Sequence, residues 1–198
     1  MDERLFRDLN GLAAHGHGLD PIVRIIATYG VLVFPAALVL LWLFPGHDPH
    51  RVRTAAVTGA AAALLALGVN QVLNHLVDRA RPYAGHPVHL LLARSGDASF
   101  PSDHTAVAFA VAVAVWYARP RIGAVLVLLG VALGLSRVIA GVHYPGDVLG
   151  GAAVGAGAAM VLWRAARSPL GAATAATERI YDAVLQPIRR RAGTDVAG

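Results

Sequence analysis

The sequence predicts an all-α membrane protein: a polytopic bundle of about five transmembrane helices with an interfacial helix at its amino end and another at its carboxyl end. Three observations carry this expectation. The 198 residues are 56% hydrophobic and only 15% charged, with a mean hydropathy of +0.56, a composition suited to lipid rather than water. Uncharged apolar runs recur at 25–44, 55–73, 105–118, 122–136 and 148–163. Arginines and tryptophans gather at one set of run ends, as topology rules require.

In chain order, the first element is Met1 to Gly18, where Leu5, Phe6, Leu9, Leu12 and Ala13 recur at helical spacing among charged residues. That pattern predicts a short helix at the membrane interface. It lacks the apolar core and small-residue cleavage site of a secretory signal. Ile25 to Phe44 is long enough to span, and Ala55 to Leu73 is alanine-rich, which favours close helix packing. The last three runs hold 14 to 16 residues each, about 21–24 Å of helix against roughly 30 Å of hydrocarbon. Their polar flanks must complete the crossing, which sets those flanks near the headgroup boundary. After them, Ile180, Tyr181, Val184, Leu185 and Ile188 form an apolar stripe ending in Arg189 to Arg191, expected to lie on an anionic leaflet. The domain expectation is a membrane-embedded unit over 1–170 and an amphipathic helix and tail over 171–198.

Every basic residue other than histidine is arginine, 17 in all. The formal charge of +5 and pI near 10.4 do not point to nucleic acid, because the arginines sit at run ends and form no binding stripe. Arg51, Arg53, Arg119, Arg121, Arg164, Arg167 and the 189–191 cluster share one side of a five-span arrangement, as do Trp42, Trp116 and Trp163. The positive-inside rule makes that side, and the carboxyl terminus, cytoplasmic. Residues 78–103 and 137–147 then face outward. Cysteine is absent, which excludes disulfides and thiol chemistry.

The outward segments carry the chemistry. In Ser136 to Asp147, an arginine, a histidine and an aspartate close an apolar run, and charge at that depth requires a partner or a role. Asp147 follows His143 by four residues, with Pro145 suited to a helix start between them. The carboxylate is expected to reach the imidazole, fix its tautomer and leave the other ring nitrogen free to attack. Arg137 offers a planar fork for phosphate oxygens. Two more polar clusters stand on the same face: Asp78, Arg79, Arg81 and Pro82; and Pro101, Ser102, Asp103 and His104.

Together the three clusters resemble the signature motifs of the type 2 phosphatidic acid phosphatase superfamily, integral-membrane lipid phosphatases. The third is complete, from Ser136 and Arg137 through His143 to Asp147. The second, PSDH, carries Asp103 where many members have glycine. The first keeps Arg81 and Pro82 but has Asn74 where a lysine is expected, with Arg79 near enough to compensate. The linking text HPVHLLLARSGDASFPSDHT and SRVIAGVHYPGDVLGG, with LFRDLNGLAAH and ERIYDAVL, is similar to the bacterial undecaprenyl pyrophosphate phosphatases associated with bacitracin resistance.

That resemblance implies His143 as nucleophile through a phosphohistidine, Asp147 as its orienting partner and His104 as proton donor to the leaving oxygen. It implies phosphate contacts from Arg81, Arg137, Ser102, Asp103 and Ser136, with Arg79 and Asn74 beside them, and neither metal nor cofactor. Ser102 serves equally as a helix cap, since a capped helix start also binds phosphate. His86, His89, Arg94 and Asp97 read as lid or surface, Leu90 to Leu92 as a stretch dipping into lipid, and Gly150, Gly151 and Gly155 as close-packing positions. The implied partners are the bilayer and a polyprenyl diphosphate, with no nucleic acid; self-association is left open. The implied activity is dephosphorylation of undecaprenyl pyrophosphate at the outer face of a bacterial plasma membrane. Phosphatidic acid, phosphatidylglycerol phosphate and polyprenyl phosphosugar phosphates remain alternative substrates, and a noncatalytic lipid-binding scaffold is the alternative of another class.

Overall fold

The structure is a computed structural model, and it describes residues 2–15, 18–165, 172 and 174–180. It is helical throughout its regular elements: α1 (Asp2–His15), α2 (Asp20–Tyr29), a 3₁₀ turn (Gly30–Leu32), α3 (Val33–Leu43), α4 (Pro49–Val77), α5 (Pro82–Gly85), α6 (Asp103–Ala118), α7 (Pro120–Ile139) and α8 (Pro145–Ala165). Prolines open α4, α5, α7 and α8, where the missing N–H has no helical partner to lose. Between α2 and α3 the chain tightens without breaking. Pro35 supplies no N–H to the Val31 carbonyl and crowds it, so the preceding turn winds as 3₁₀. Asp48 caps α4 by accepting from the Arg51 N–H, and Asp78 ends the helix in the left-handed region at φ +43°.

Among the described residues, four segments are long and apolar enough to cross a membrane: the α2–α3 unit, α4 with its extension, α7 and α8. The apolar run 105–118, third of the five, forms α6, only 16 residues long. It sits at the centre, packed by α4, α7 and α8, with Ala106, Ala108, Ala110, Val111, Ala112, Ala114 and Val115 all sealed from the surface. Alanine brings the neighbouring backbones close. The α8 glycines continue this: a Cβ on Gly151 would lie 2.2 Å from the Ser102 carbonyl oxygen, and one on Gly155 2.1 Å from that of Ala106. Of the predicted close-packing positions, Gly151 and Gly155 form a seam between α6 and α8, and Gly150 packs on the Phe100 ring just before α6. Outward, Leu64, Leu128, Leu149 and Val161 remain exposed, forming a surface for lipid tails.

The two ends of the bundle differ. At one, Arg51 donates to the Tyr117 carbonyl (2.7 Å), Arg53 to that of Trp42 (3.3 Å), and Arg119 to those of Pro45 (2.6 Å) and His47. Tyr117 stacks on Trp163 at 5.0 Å, and Glu178, within helical residues 174–180, meets His50 at 3.0 Å and Arg53 at 3.5 Å. The rest of the expected carboxyl-terminal stripe, Tyr181 to Arg191, lies outside the described residues. At the other end are the close of α4, the start of α6, the close of α7 and the start of α8. Here α1 packs across α7 and α8, burying Phe6 and Asn10 while leaving Leu5 and Leu12 exposed. Leu91 packs with Ala27 and Ala140 in the interior; the expectation that this leucine dips into lipid is corrected by the Leu91 N–H, which donates to the Ala140 carbonyl at 3.1 Å.

Candidate active site

The end built by α4, α6, α7 and α8 holds a cavity of about 870 Å³, whose walls include Asn74, Arg81, Asp103, His104, Arg137 and His143. Three segments far apart in sequence thus meet, and residues 104 and 143 face one space. The short link from α7 to α8 presents His143. It turns at Gly141, where φ is +81° and a Cβ would press within 2.8 Å of the His89 carbonyl oxygen, so only glycine fits without strain.

His143 is 3% exposed. Its Nδ1 lies 2.9 Å from the Ser99 carbonyl, an acceptor, so Nδ1 carries the proton and Nε2 keeps its lone pair. Nε2 is 3.4 Å from Arg81 Nη1. Burial holds this imidazole below its ordinary pKa, Arg137 and Arg81 push the same way, and Asp147 opposes them. The neutral form is therefore the resting form.

Asp147 does not fix the tautomer directly, as the sequence led us to expect. Its Oδ2 lies 3.7 Å from His143 Nδ1, beyond hydrogen-bond reach. That oxygen accepts instead from the Tyr144 N–H at 2.8 Å and from the Ser99 hydroxyl, while Oδ1 accepts from Arg79 Nη1 at 2.8 Å. The carboxylate acts one step removed, holding the serine whose carbonyl holds the ring. Ser99 was not singled out in the sequence, since it works through a main-chain atom that every residue possesses.

The expected phosphate ligands divide into two groups. Arg81 and Arg137 reach the cavity. Arg81 is braced by the Asp97 carbonyl at 2.9 Å and the Val142 carbonyl at 3.1 Å. Arg137 donates to the Ala27 carbonyl at 2.9 Å, and its buried Nε has no partner among the described residues. Asp103 also lines the cavity, accepting from Asn70 at 2.7 Å.

Others are placed differently. Arg79 turns away to Asp147 and Asp2 and so does not stand in for the motif lysine. Asn74 borders the cavity but directs its amide at the Ala98 and Phe100 carbonyls, 3.2 and 3.4 Å away. Ser136 donates to the Leu133 carbonyl at 2.6 Å, a bond within its own helix. Ser102 occupies the α6 cap position without a side-chain cap bond, and its hydroxyl is buried. Neither serine is on the cavity wall. Among the described residues, no three histidine or carboxylate side chains cluster as metal ligands.

Residues 55–168 match the PAP2 superfamily, a stretch that contains all three clusters. The chain belongs to this superfamily. It is 36% identical to the undecaprenyl-diphosphatase BcrC of Bacillus subtilis (strain 168) over 151 residues, 76% of each protein. To the putative undecaprenyl-diphosphatase YbjG of Escherichia coli (strain K12) it is 32% identical over 166 residues, 81% of this chain and 82% of that one. The crystal structure of Aquifex aeolicus LpxE superposes with a TM-score of 0.64 at 28% identity, covering 82% of this chain and 94% of that one. The protein is a multi-span PAP2 lipid phosphatase.

Proposed function

We propose that this PAP2 phosphatase removes the terminal phosphate from a polyprenyl diphosphate, undecaprenyl diphosphate in the first instance, and so regenerates a monophosphate lipid carrier for cell-wall polymers. The observation that carries the reading is His143, its Nδ1 2.9 Å from the Ser99 carbonyl, lining a cavity shared with His104, Arg81 and Arg137. Arg81 and Arg137 grip the nonbridging oxygens of the terminal phosphate. Nε2 attacks its phosphorus, the bond to the bridging oxygen breaks, and His104 gives that oxygen a proton as the lipid monophosphate departs; burial and the nearby Arg137 hold this imidazole below its ordinary pKa, and the negative charge of the bound diphosphate offsets them so that the imidazolium forms. His104, now neutral, takes a proton from water. The resulting nucleophile displaces His143 from the phosphohistidine and releases inorganic phosphate. The two guanidinium groups supply most of the electrostatic stabilisation, since charge spreads onto the equatorial oxygens in the transition state.

The substrate class draws support from the names of the two relatives above. The gathering of arginine and tryptophan at the end opposite the cavity supports an extracytoplasmic site and a cytoplasmic carboxyl terminus.

The test is phosphate release by detergent-purified protein with chelator present, beside a His143→Ala variant, on undecaprenyl diphosphate, phosphatidic acid, phosphatidylglycerol phosphate and a polyprenyl phosphosugar phosphate. Preference for the diphosphate, loss in the variant and an acid-labile phosphoprotein after rapid quenching are expected. Preference for a monoester overturns the substrate assignment, and full activity of His143→Ala overturns the mechanism. Retention of lipid without turnover by either protein favours the scaffold.

A further inference from the structure

Behind the His143 ring, on the side away from the cavity, runs a chain of charged groups that the reaction above does not use. Asp2, in the first turn of α1, accepts from the Gly146 N–H at 2.9 Å through Oδ1 and from Arg79 Nη2 at 2.6 Å through Oδ2. The same guanidinium reaches Asp147 Oδ1 at 2.8 Å and sits over the Tyr144 ring, its central carbon 4.0 Å from the ring centroid. The Arg79 carbonyl accepts from the Ser99 N–H at 2.7 Å. Arg79 therefore fixes both Asp147 and Ser99, the two residues that set the His143 tautomer, and Asp2 fixes Arg79. Two further contacts fasten α1 here: Phe6 packs edge-on against Tyr144 at 5.3 Å, and Asn10 bonds both the His89 peptide and the Ile139 carbonyl.

We infer that α1 is a positioning element of the active site, with Asp2 acting through Arg79 and Asp147 to hold His143 in its reactive orientation and tautomer. This rests on the proposed role of His143 as nucleophile. Asp2 touches no cavity wall, so it is a positioning residue and makes no contact with substrate. One cation between two carboxylates leaves this group at a net charge of −1. Asp2→Asn makes it neutral, and Arg79→Gln makes it −2. The other charged or titratable groups around the ring are Arg81, Arg137 and His104, which both substitutions leave in place. A more negative surrounding favours the imidazolium form and a less negative one disfavours it. The two variants must therefore move the His143 titration in opposite directions, which mere loosening of the fold does not do.

The experiment measures kcat, KM and the acid limb of kcat/KM against pH for wild type, Asp2→Asn, Asp2→Glu and Arg79→Gln, all full-length in detergent and checked for monodispersity and thermal midpoint. Asp2→Asn is expected to lower kcat about tenfold or more, since sub-ångström misplacement of a nucleophile is costly, with KM within about twofold, because phosphate contacts are untouched. Its acid limb moves to lower pH, that of Arg79→Gln moves to higher pH, and Asp2→Glu recovers most of kcat. An Asp2→Asn enzyme with wild-type kcat and an unmoved limb overturns the inference, as do limbs displaced the same way in both variants. Loss of activity that merely tracks a fallen thermal midpoint also overturns it. A wild type that releases no phosphate from any lipid refutes the enzymatic reading itself and is told apart from these outcomes by that control.

Discussion

Replacing Gly151 with alanine tests whether the seam between α6 and α8 sets the geometry of the site. The added methyl would stand 2.2 Å from the Ser102 carbonyl oxygen and 2.5 Å from Thr105 Oγ1. Neither neighbour can yield alone, because the Ser102 carbonyl already accepts from the Ala106 N–H and the Thr105 hydroxyl, both at 3.0 Å, in the opening turn of α6. Restoring ordinary contact at 3.4 Å forces the two helices apart by about 1.2 Å. Such overpacking lowers stability by about 1–3 kcal/mol. The same displacement acts on chemistry, since α6 carries His104 two residues beyond Ser102, and the Ser102 N–H is bonded to the Asp147 carbonyl at 3.0 Å. A misplacement near 1 Å predicts roughly a hundredfold fall in kcat. Gly157→Ala is the internal control: its methyl meets nothing within 4 Å and adds about 0.5–1 kcal/mol of helix preference. Phosphate release at saturating substrate and the thermal midpoint are read on both. Wild-type turnover in Gly151→Ala, or equal damage in Gly157→Ala, refutes the reasoning.

Ser99→Ala keeps the carbonyl that holds His143 but removes the hydroxyl donated to Asp147. Stability should fall by about 1.5–3 kcal/mol and kcat by several-fold at constant KM; a proportional rise in KM instead means that Ser99 meets the substrate. Asn10→Ala strips partners from the His89 peptide and the Ile139 carbonyl, a loss of about 3 kcal/mol measurable as a lower thermal midpoint, and a change below about 0.5 kcal/mol contradicts the clamp. For pH, burial holds His143 below the unperturbed value near 6.5. The neutral nucleophile thus persists to lower pH, and the acid limb of kcat/KM should fall below about 6.5. The sign for stability follows from the same shift: below about 6.5 the unfolded chain takes a proton that the folded site resists, so this group's contribution declines as pH falls toward the folded pKa and is unchanged above. An acid limb above pH 7 contradicts this assignment.

The helices were legible because apolar runs and prolines are local signals, and the gathering of residues 81, 104, 137 and 143 was legible because three clusters fell on one face. What escaped depends on contacts no local pattern encodes. Arg79 could be read equally as a phosphate ligand until Asp2, 77 positions away, was seen to claim it. Ser136 lies in a motif, yet a serine inside a helix has a carbonyl within reach one turn back, and it took that bond. Ser99 lay in plain view within the loop, but its part is shared between a hydroxyl and a peptide oxygen, and side-chain chemistry alone reveals only half. The spacing sets Asp147 at the start of α8, but spacing alone does not show that the Tyr144 N–H and the Ser99 hydroxyl claim the oxygen that lies 3.7 Å from the ring.

The far end of the bundle gives the absence of lysine a structural meaning. Arg51, Arg53 and Arg119 close off carbonyls that terminate α6 and α3 or line the turn between α3 and α4, groups that a helix cannot satisfy for itself. Each therefore serves as a stopper for dangling peptide oxygens while keeping its positive charge. An ammonium at position 53 would preserve the charge, but as a single compact donor head it could not meet the Trp42 carbonyl and the Glu178 carboxylate together, as the Arg53 fork does through Nε and Nη1. Exchange of Arg53 for lysine should keep the charge yet loosen the close of α3, separating two duties that one side chain now discharges together.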